Sequence, residues 1–327
     1  MPERTRAPSL ALTLGLIAGL AAGPAMAETW LMASGYPEDN FHTQNIRLFI
    51  EEVEEATDLT IDLQSNDTLI KLDAIRTAVQ RGQVPMGEIR LGVYGNDNPM
   101  FLLESLPYIA PDYTSSWLLK DLQKAYFDEL FGADGVRVLY YTPWPGQGFY
   151  LNSPVETVED FAGKRLRIYS AATQQMGEML GFQATILPFA EVPQAFSTGL
   201  IEALFTSPQT GIDVQAWDNT SHFVYAGAMF NKNAVIVNES AFQALPRETR
   251  DAVLEAARRA ELRGWEMSAA TTAEQMRILE ENGMVVTLAP GSVVERMLEV
   301  GEAMMAEWRA EADAESNEIL DRYLALR

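Results

Sequence analysis

The stretch GKRLRIYS, residues 163–170, gathers Lys164, Arg165 and Arg167 within four positions of a chain whose formal net charge is −22. A guanidinium offers two parallel N–H donors that match the two oxygens of a carboxylate, so the chemistry that suits this segment is capture of an anion. Apolar and charged positions alternate: Leu166 and Ile168 fall on one face of an expected strand, Arg165, Arg167 and Tyr169 on the other. Arg167 stands nearest the carboxyl end of that strand, where open α/β sheets bind their ligands. Arg165 and Lys164 lie further back and read as surface charge. On the residues alone, Arg167 is equally an anion hook or an exposed cation on a solvated strand face.

Catalytic patterns are missing. There is no GxSxG elbow, no GxxxxGK[ST] phosphate loop and no HExxH helix, and the GQG at 146–148 lacks the third glycine of a nucleotide loop. The chain has no cysteine, which removes disulfides, thiolate chemistry and Cys-ligated metal, and its two histidines, His42 and His222, cannot build a multi-His centre. No cofactor or metal is expected. With 46 acidic against 24 basic residues the surface is negative, a poor partner for nucleic acid and anionic membranes. A hydrolase using a carboxylate pair stays open, although the acidic runs at 51–55 and 311–318 read as solvated helix faces.

The elements that must position Arg167 read as α/β. At 327 residues and 47% hydrophobic composition, the chain suffices for one large or two medium domains. At the amino end, Arg4 and Arg6, an apolar run from Leu10 to Ala22, and Ala25-Met26-Ala27 form an export leader cleaved after Ala27, which places the mature chain in a periplasm. Strands are expected at 29–34, 60–65, 86–95, 136–142, 165–169, 184–189 and from 201. Helices are expected over about 43–57, 69–80, 115–130 and 172–180, with Gly181 closing the last. From Arg247 to Asn282 the composition is helical without proline, about 50 Å of helix at 1.5 Å per residue, long enough to brace two lobes. Ser292-Val-Val-Glu295 resembles a capping box opening the C-terminal helices.

The run TVEDFAGKRLRIYSAATQQMGEMLGFQATILPFAEVPQAFSTGLIEALFTSP, residues 157–208, resembles the solute-binding proteins of tripartite ATP-independent periplasmic (TRAP) transporters, the DctP-like family. The VQRGQVPMG strand at 79–87, LPYIAPDY at 106–113 and the long late helix agree in order, so the likeness covers nearly the whole mature chain. The resemblance implies a two-lobed, type II-like periplasmic binding protein with a hinge and a long helix crossing both lobes. It divides the chain into residues 28–145 with 234–275, and 146–233 with 276–327. It implies a monomeric receptor that binds a small organic acid and passes it to the small and large TRAP membrane subunits, with no chemistry done on the ligand.

The resemblance also assigns site residues. Arg167 matches the arginine that clamps the ligand carboxylate, Arg90 and Lys71 fall where relatives turn side chains toward the cleft, and Trp144, Gln147, Phe149 and Trp217 are candidates for its wall. His42 and Asn45, at the start of the first helix, are candidate donors. Two positions depart from the pattern: a second arginine common in relatives is Gly148 here, and a loop asparagine is Ser207. Those departures keep a neutral or zwitterionic solute as an alternative. Because surface charge is screened beyond about 8–10 Å, an acidic receptor must capture an anion by cations placed locally, inside a closing cleft.

Overall fold

The computed structural model describes residues 29–327; the leader and its expected cleavage point lie outside the described residues. Two mixed sheets organise the chain. The first contains β1 (Thr29–Ala33), β2 (Thr60–Gln64), β3 (Met86–Arg90), β4 (Val136–Pro143) and β10 (Lys232–Asn238), in the order β2-β1-β3-β10-β4. The second contains β5 (Gly148–Leu151), β6 (Arg165–Ile168), β7 (Gln183–Ile186), β8 (Ala203–Thr206), β9 (His222–Tyr225) and β11 (Val285–Leu288), in the order β11-β9-β5-β8-β6-β7. β10 runs antiparallel to β3 and β4, and β5 antiparallel to β8 and β9. The other pairings are parallel, so each lobe gathers the carboxyl ends of several strands on one side.

Helices α1 (Phe41–Ala56), α2 (Ile75–Gln80) and α3 (Tyr113–Ala133) belong to the first lobe; α4 (Ala171–Met179), α5 (Val192–Ser197) and α6 (Pro208–Asp213) to the second. α1 buries the stripe Ile46, Phe49, Ile50 and Val53, and the Asn40 side chain caps it by accepting from His42 N at 2.8 Å. The second helix begins later than the sequence suggests. The Asp67 carboxylate accepts from Leu72 N at 2.8 Å, and a 3-10 turn over Leu72–Ala74 intervenes before Ile75. The strand expected over 86–95 stops at Arg90, where the chain enters another 3-10 turn, Leu91–Tyr94.

After α7 (Glu239–Ala244) comes α8, Arg247–Glu281, which matches the long helix read from the sequence. Exposed i,i+3 and i,i+4 pairs such as Glu255 with Arg258 and Arg277 with Glu281 support it. Its first half packs Val253, Ala256, Ala257 and Ala260 into the first lobe's core, and Leu279 near its end joins the second lobe's. Small residues let it approach closely: a Cβ on Gly264 would stand 2.6 Å from Thr142 Oγ1 and 2.7 Å from Asn45 Nδ2. α9 (Gly291–Glu311) and α10 (Ala314–Leu326) close the chain. The capping box expected at Ser292 does not form, because Pro290 precedes the first turn and the Ser292 hydroxyl donates instead to Glu156 O. β11 joins the second sheet, whereas Tyr323 of α10 donates to Ile109 O in the first lobe at 2.7 Å.

Between the sheets the chain crosses twice without helix or strand, at 144–147 and 226–231, with Gly227 in the left-handed region. The two crossings bond to each other: Trp144 N donates to Asn231 O at 2.7 Å, and Gly227 N to Gln147 O at 2.9 Å. This ribbon, α8 and the return of the chain through α9 to α10 connect the lobes.

Candidate functional site

The carboxyl ends of both sheets meet beside the crossing ribbon around a small, largely closed cavity. From the first lobe come Tyr36, just after β1, and Arg90, the last residue of β3. From the second come Arg167 and Tyr169 at the end of β6, Phe189 beyond β7, Thr206 closing β8, and Ser207 and Thr210 at the start of α6. The ribbon supplies Trp144, Gln147 and Asn231.

Two cations dominate the space. Arg167 is 1% exposed; its Nε donates to Leu187 O at 3.1 Å, and its Nη2 is buried without a hydrogen-bond partner. Arg90 is also buried. Its Nη2 donates to Tyr169 O at 3.4 Å and lies 3.9 Å from the Asp73 carboxylate, while its Nε has no partner. The two guanidinium carbons sit 4.8 Å (Arg90) and 5.8 Å (Arg167) from the Tyr169 ring centroid. Burial first, and then repulsion from Arg90, pulls Arg167 down to about 9, still cationic at neutral pH. Among the described residues, no carboxylate lines the cavity. A buried guanidinium with unmet donors and a like-charged neighbour is costly until an anion joins it, and this arrangement can bind one.

A buried polar network holds the wall. Tyr169 Oη shares its proton between Gln147 Oε1 at 2.7 Å and Asn231 Oδ1 at 3.1 Å, and Gln147 Nε2 donates to Asn231 Oδ1 at 2.8 Å. Trp144 Nε1 donates to Asn233 Oδ1 at 2.8 Å; Asn233 Nδ2 donates to Glu88 Oε1 at 2.8 Å, and Ser34 Oγ to Glu88 Oε2 at 2.6 Å. Burial raises Glu88 to about 7 despite these bonds. Aromatic contacts shut the opposite side: Tyr36 meets Trp144 edge-on at 5.0 Å and, across the cleft, Phe189 at 5.5 Å.

Of the residues singled out from sequence, Arg167, Arg90, Trp144, Gln147 and Ser207 line this cavity. Ser207 spends its hydroxyl on capping α6, accepting from Thr210 N at 3.2 Å. The others stand elsewhere. Lys71 is largely exposed, because the delayed start of α2 leaves it before the 3-10 turn, 3.9 Å from Asp67. Phe149 is fully buried in the second lobe's core among Phe161, Phe182 and Phe205, and Trp217 packs at the margin of the Tyr150–Phe223 cluster. Asn45 fastens α1 to α8, donating to Ala260 O at 2.9 Å and accepting from Arg263 Nε at 2.8 Å. His42 lies behind the wall with its ring 4.2 Å from that of Trp144 and its Nδ1 3.4 Å from Glu88, held neutral by burial.

Sequence reasoning missed Tyr36, Tyr169, Phe189, Thr206, Thr210 and Asn231 as lining residues. Only Tyr169 carried a signal, since it shares the strand face of Arg167. The glycine at 148 has a local cause: β5 is clasped between β8 and β9, and a Cβ there would stand 2.4 Å from Val224 O and 2.8 Å from the Phe223 ring. No side chain fits at 148 without moving backbone. Among the described residues, no group of three or more acids and histidines is gathered as a metal site.

Two α/β lobes hinged at a paired ribbon, braced by one long helix and closing on a cationic cavity, define a type II-like solute-binding protein. The family model for bacterial extracellular solute-binding proteins, family 7 (DctP), matches residues 32–311, and the chain belongs to this family of TRAP solute receptors, which bind rather than transform their ligands. Among solved structures, the extracytoplasmic solute receptor DctP7 of Bordetella pertussis, which binds pyroglutamic acid, is 39% identical with a TM-score of 0.89, covering 91% of this chain and 99% of that one. A TRAP solute binding protein from a marine metagenome, specific for pyroglutamate, is 30% identical with a TM-score of 0.88, covering 92% and 99%. A solute-binding protein of a Sulfitobacter species is 22% identical over 317 residues, 95% of this chain and 96% of the relative.

Proposed function

We propose that this protein is the exported receptor of a TRAP transport system that holds a small carboxylate, of the pyroglutamate type, between its lobes and delivers it to the membrane permease. The observation that carries the reading is Arg167, a buried guanidinium with an unmet donor, sharing with Arg90 a cavity that no carboxylate among the described residues lines. The two similar structures that bind pyroglutamate, at 39% and 30% identity, support the ligand class. An organic acid is favoured over a zwitterion, because an ammonium group would enter a space already holding two cations. Arg90 comes from the first lobe and Arg167 from the second, so an anion between them favours the closed arrangement and shifts the hinge equilibrium toward it.

The test is a thermal-shift screen of ligand-stripped protein against cyclic and linear carboxylates, sugar acids and neutral solutes. A ligand at a thousand times its Kd stabilises the folded state by about 4 kcal/mol, a plain rise in melting temperature. A rise with pyroglutamate or a related acid is expected. A response to neutral solutes alone, or to none, overturns the reading.

A further inference from the structure

Resting on the acid-receptor reading, a second group in the cavity points to what the ligand must carry besides its carboxylate. Tyr36 is 2% exposed, lines the cavity, and its Oη is buried without a hydrogen-bond partner. The Asn233 amide faces it, its oxygen accepting from Trp144 Nε1 and its nitrogen donating to Glu88 Oε1, each at 2.8 Å. Among the described residues, no acceptor stands within hydrogen-bond distance of the Tyr36 phenol. Among the described residues, the other fully buried atoms of the lining without a partner are Arg90 Nε and Arg167 Nη2. All three groups can donate, so the cavity asks its occupant for acceptors.

Both guanidinium groups gather around the Tyr169 ring, whereas Tyr36 belongs to the aromatic side with Trp144 and Phe189. A carboxylate held by the arginines therefore presents the rest of a compact ligand to Tyr36. If that remainder is hydrocarbon, the phenol stays buried and unsatisfied; if it carries a carbonyl oxygen, the last donor is met.

We propose that Tyr36 is a specificity-determining residue whose phenol donates to a second, uncharged carbonyl oxygen on the ligand, so that the cavity selects oxo-acids of lactam or keto type over simple carboxylates and amino acids. Sites built to hydrogen-bond one polar group discriminate strongly against analogues lacking it, because the site's own group is then left unpaired.

The experiment compares wild type with Tyr36→Phe, by calorimetry and by displacement, using three probes: pyroglutamate, cyclopentanecarboxylate, which keeps ring and carboxylate but lacks the carbonyl, and proline, which carries an ammonium group. Wild type is expected to prefer pyroglutamate over both by at least about tenfold. Tyr36→Phe should lose about tenfold for pyroglutamate and less than about twofold for cyclopentanecarboxylate, so that the preference collapses. The melting temperature of the ligand-free variant monitors the fold. An equal loss for both acids, or an unchanged preference, overturns the role of Tyr36 while leaving the acid receptor standing. Failure of wild type to bind any carboxylate overturns the receptor reading itself, and this assignment with it.

Discussion

Arg167→Met keeps most of the side chain's bulk and removes its charge, and the structure predicts opposite signs for its two effects. Removing one partner from a buried ion pair costs about 3–5 kcal/mol, because the other charge is left unpaired. At 1.4 kcal/mol per tenfold, the range is about a hundredfold to a few thousandfold in affinity. Arg90 faces the same cavity and retains part of the grip, so the expected loss lies at the lower end, about a hundredfold. Without ligand the balance reverses. Arg167 makes one hydrogen bond, to Leu187 O, leaves Nη2 unpaired and is repelled by Arg90. Replacing such a group with an apolar side chain is commonly neutral or stabilising by about 1–4 kcal/mol. The ligand-free variant should therefore melt no lower than wild type, and each kcal/mol gained would add about 2 °C in a chain of this size. Titration calorimetry reads the first effect and scanning calorimetry the second. Unchanged affinity refutes the reasoning, and so does a weakened affinity accompanied by a ligand-free melting point several degrees lower, which would make Arg167 a structural strut.

Other perturbations test the surroundings. Gly148→Ala should destabilise by about 1–3 kcal/mol in urea unfolding, since its Cβ would meet Val224 O at 2.4 Å; Gly148→Arg should fold no better and gain no affinity for acids. Lys232 begins β10 beside the ribbon and pairs with buried Glu104, so Lys232→Met should cost about 3–5 kcal/mol and Lys232→Met with Glu104→Gln should recover most of it, as denaturant midpoints would show. Glu88 has a folded-state pKa raised to about 7, so the native state holds its proton more tightly than the unfolded chain. Its share of stability is complete below the ordinary carboxyl range and is lost as pH rises toward 7. Glu88→Gln should flatten that decline, leaving the opposite slope of His42, which burial keeps neutral; melting curves across this window decide it.

Much of the frame was legible because its causes are local. Thirty-five residues without proline, carrying paired charges at helical spacing, make α8 wherever they are placed. Arg167 announced itself by alternation on a short strand, although alternation alone could not tell a buried hook from the exposed Arg165, which pairs with Glu202 at 2.6 Å. The remainder of the site depends on contacts between distant segments. Tyr36 and Asn231 lie in loops of ordinary composition and acquire their place only when β1 ends beside the crossing ribbon. Lys71 and Phe149 show the reverse error. A capping interaction at Asp67 shifted a helix start by several residues, and a strand covered on both faces sent Phe149 into the core rather than the cleft.

The most direct measurement of anion capture compares pyroglutamate with its uncharged primary amide, titrated into ligand-stripped wild-type protein. The two share ring, carbonyl and size, and differ in the charge that Arg167 and Arg90 would meet. The account predicts that the acid binds at least about a hundredfold more tightly than the amide. Equal binding of the two would contradict it.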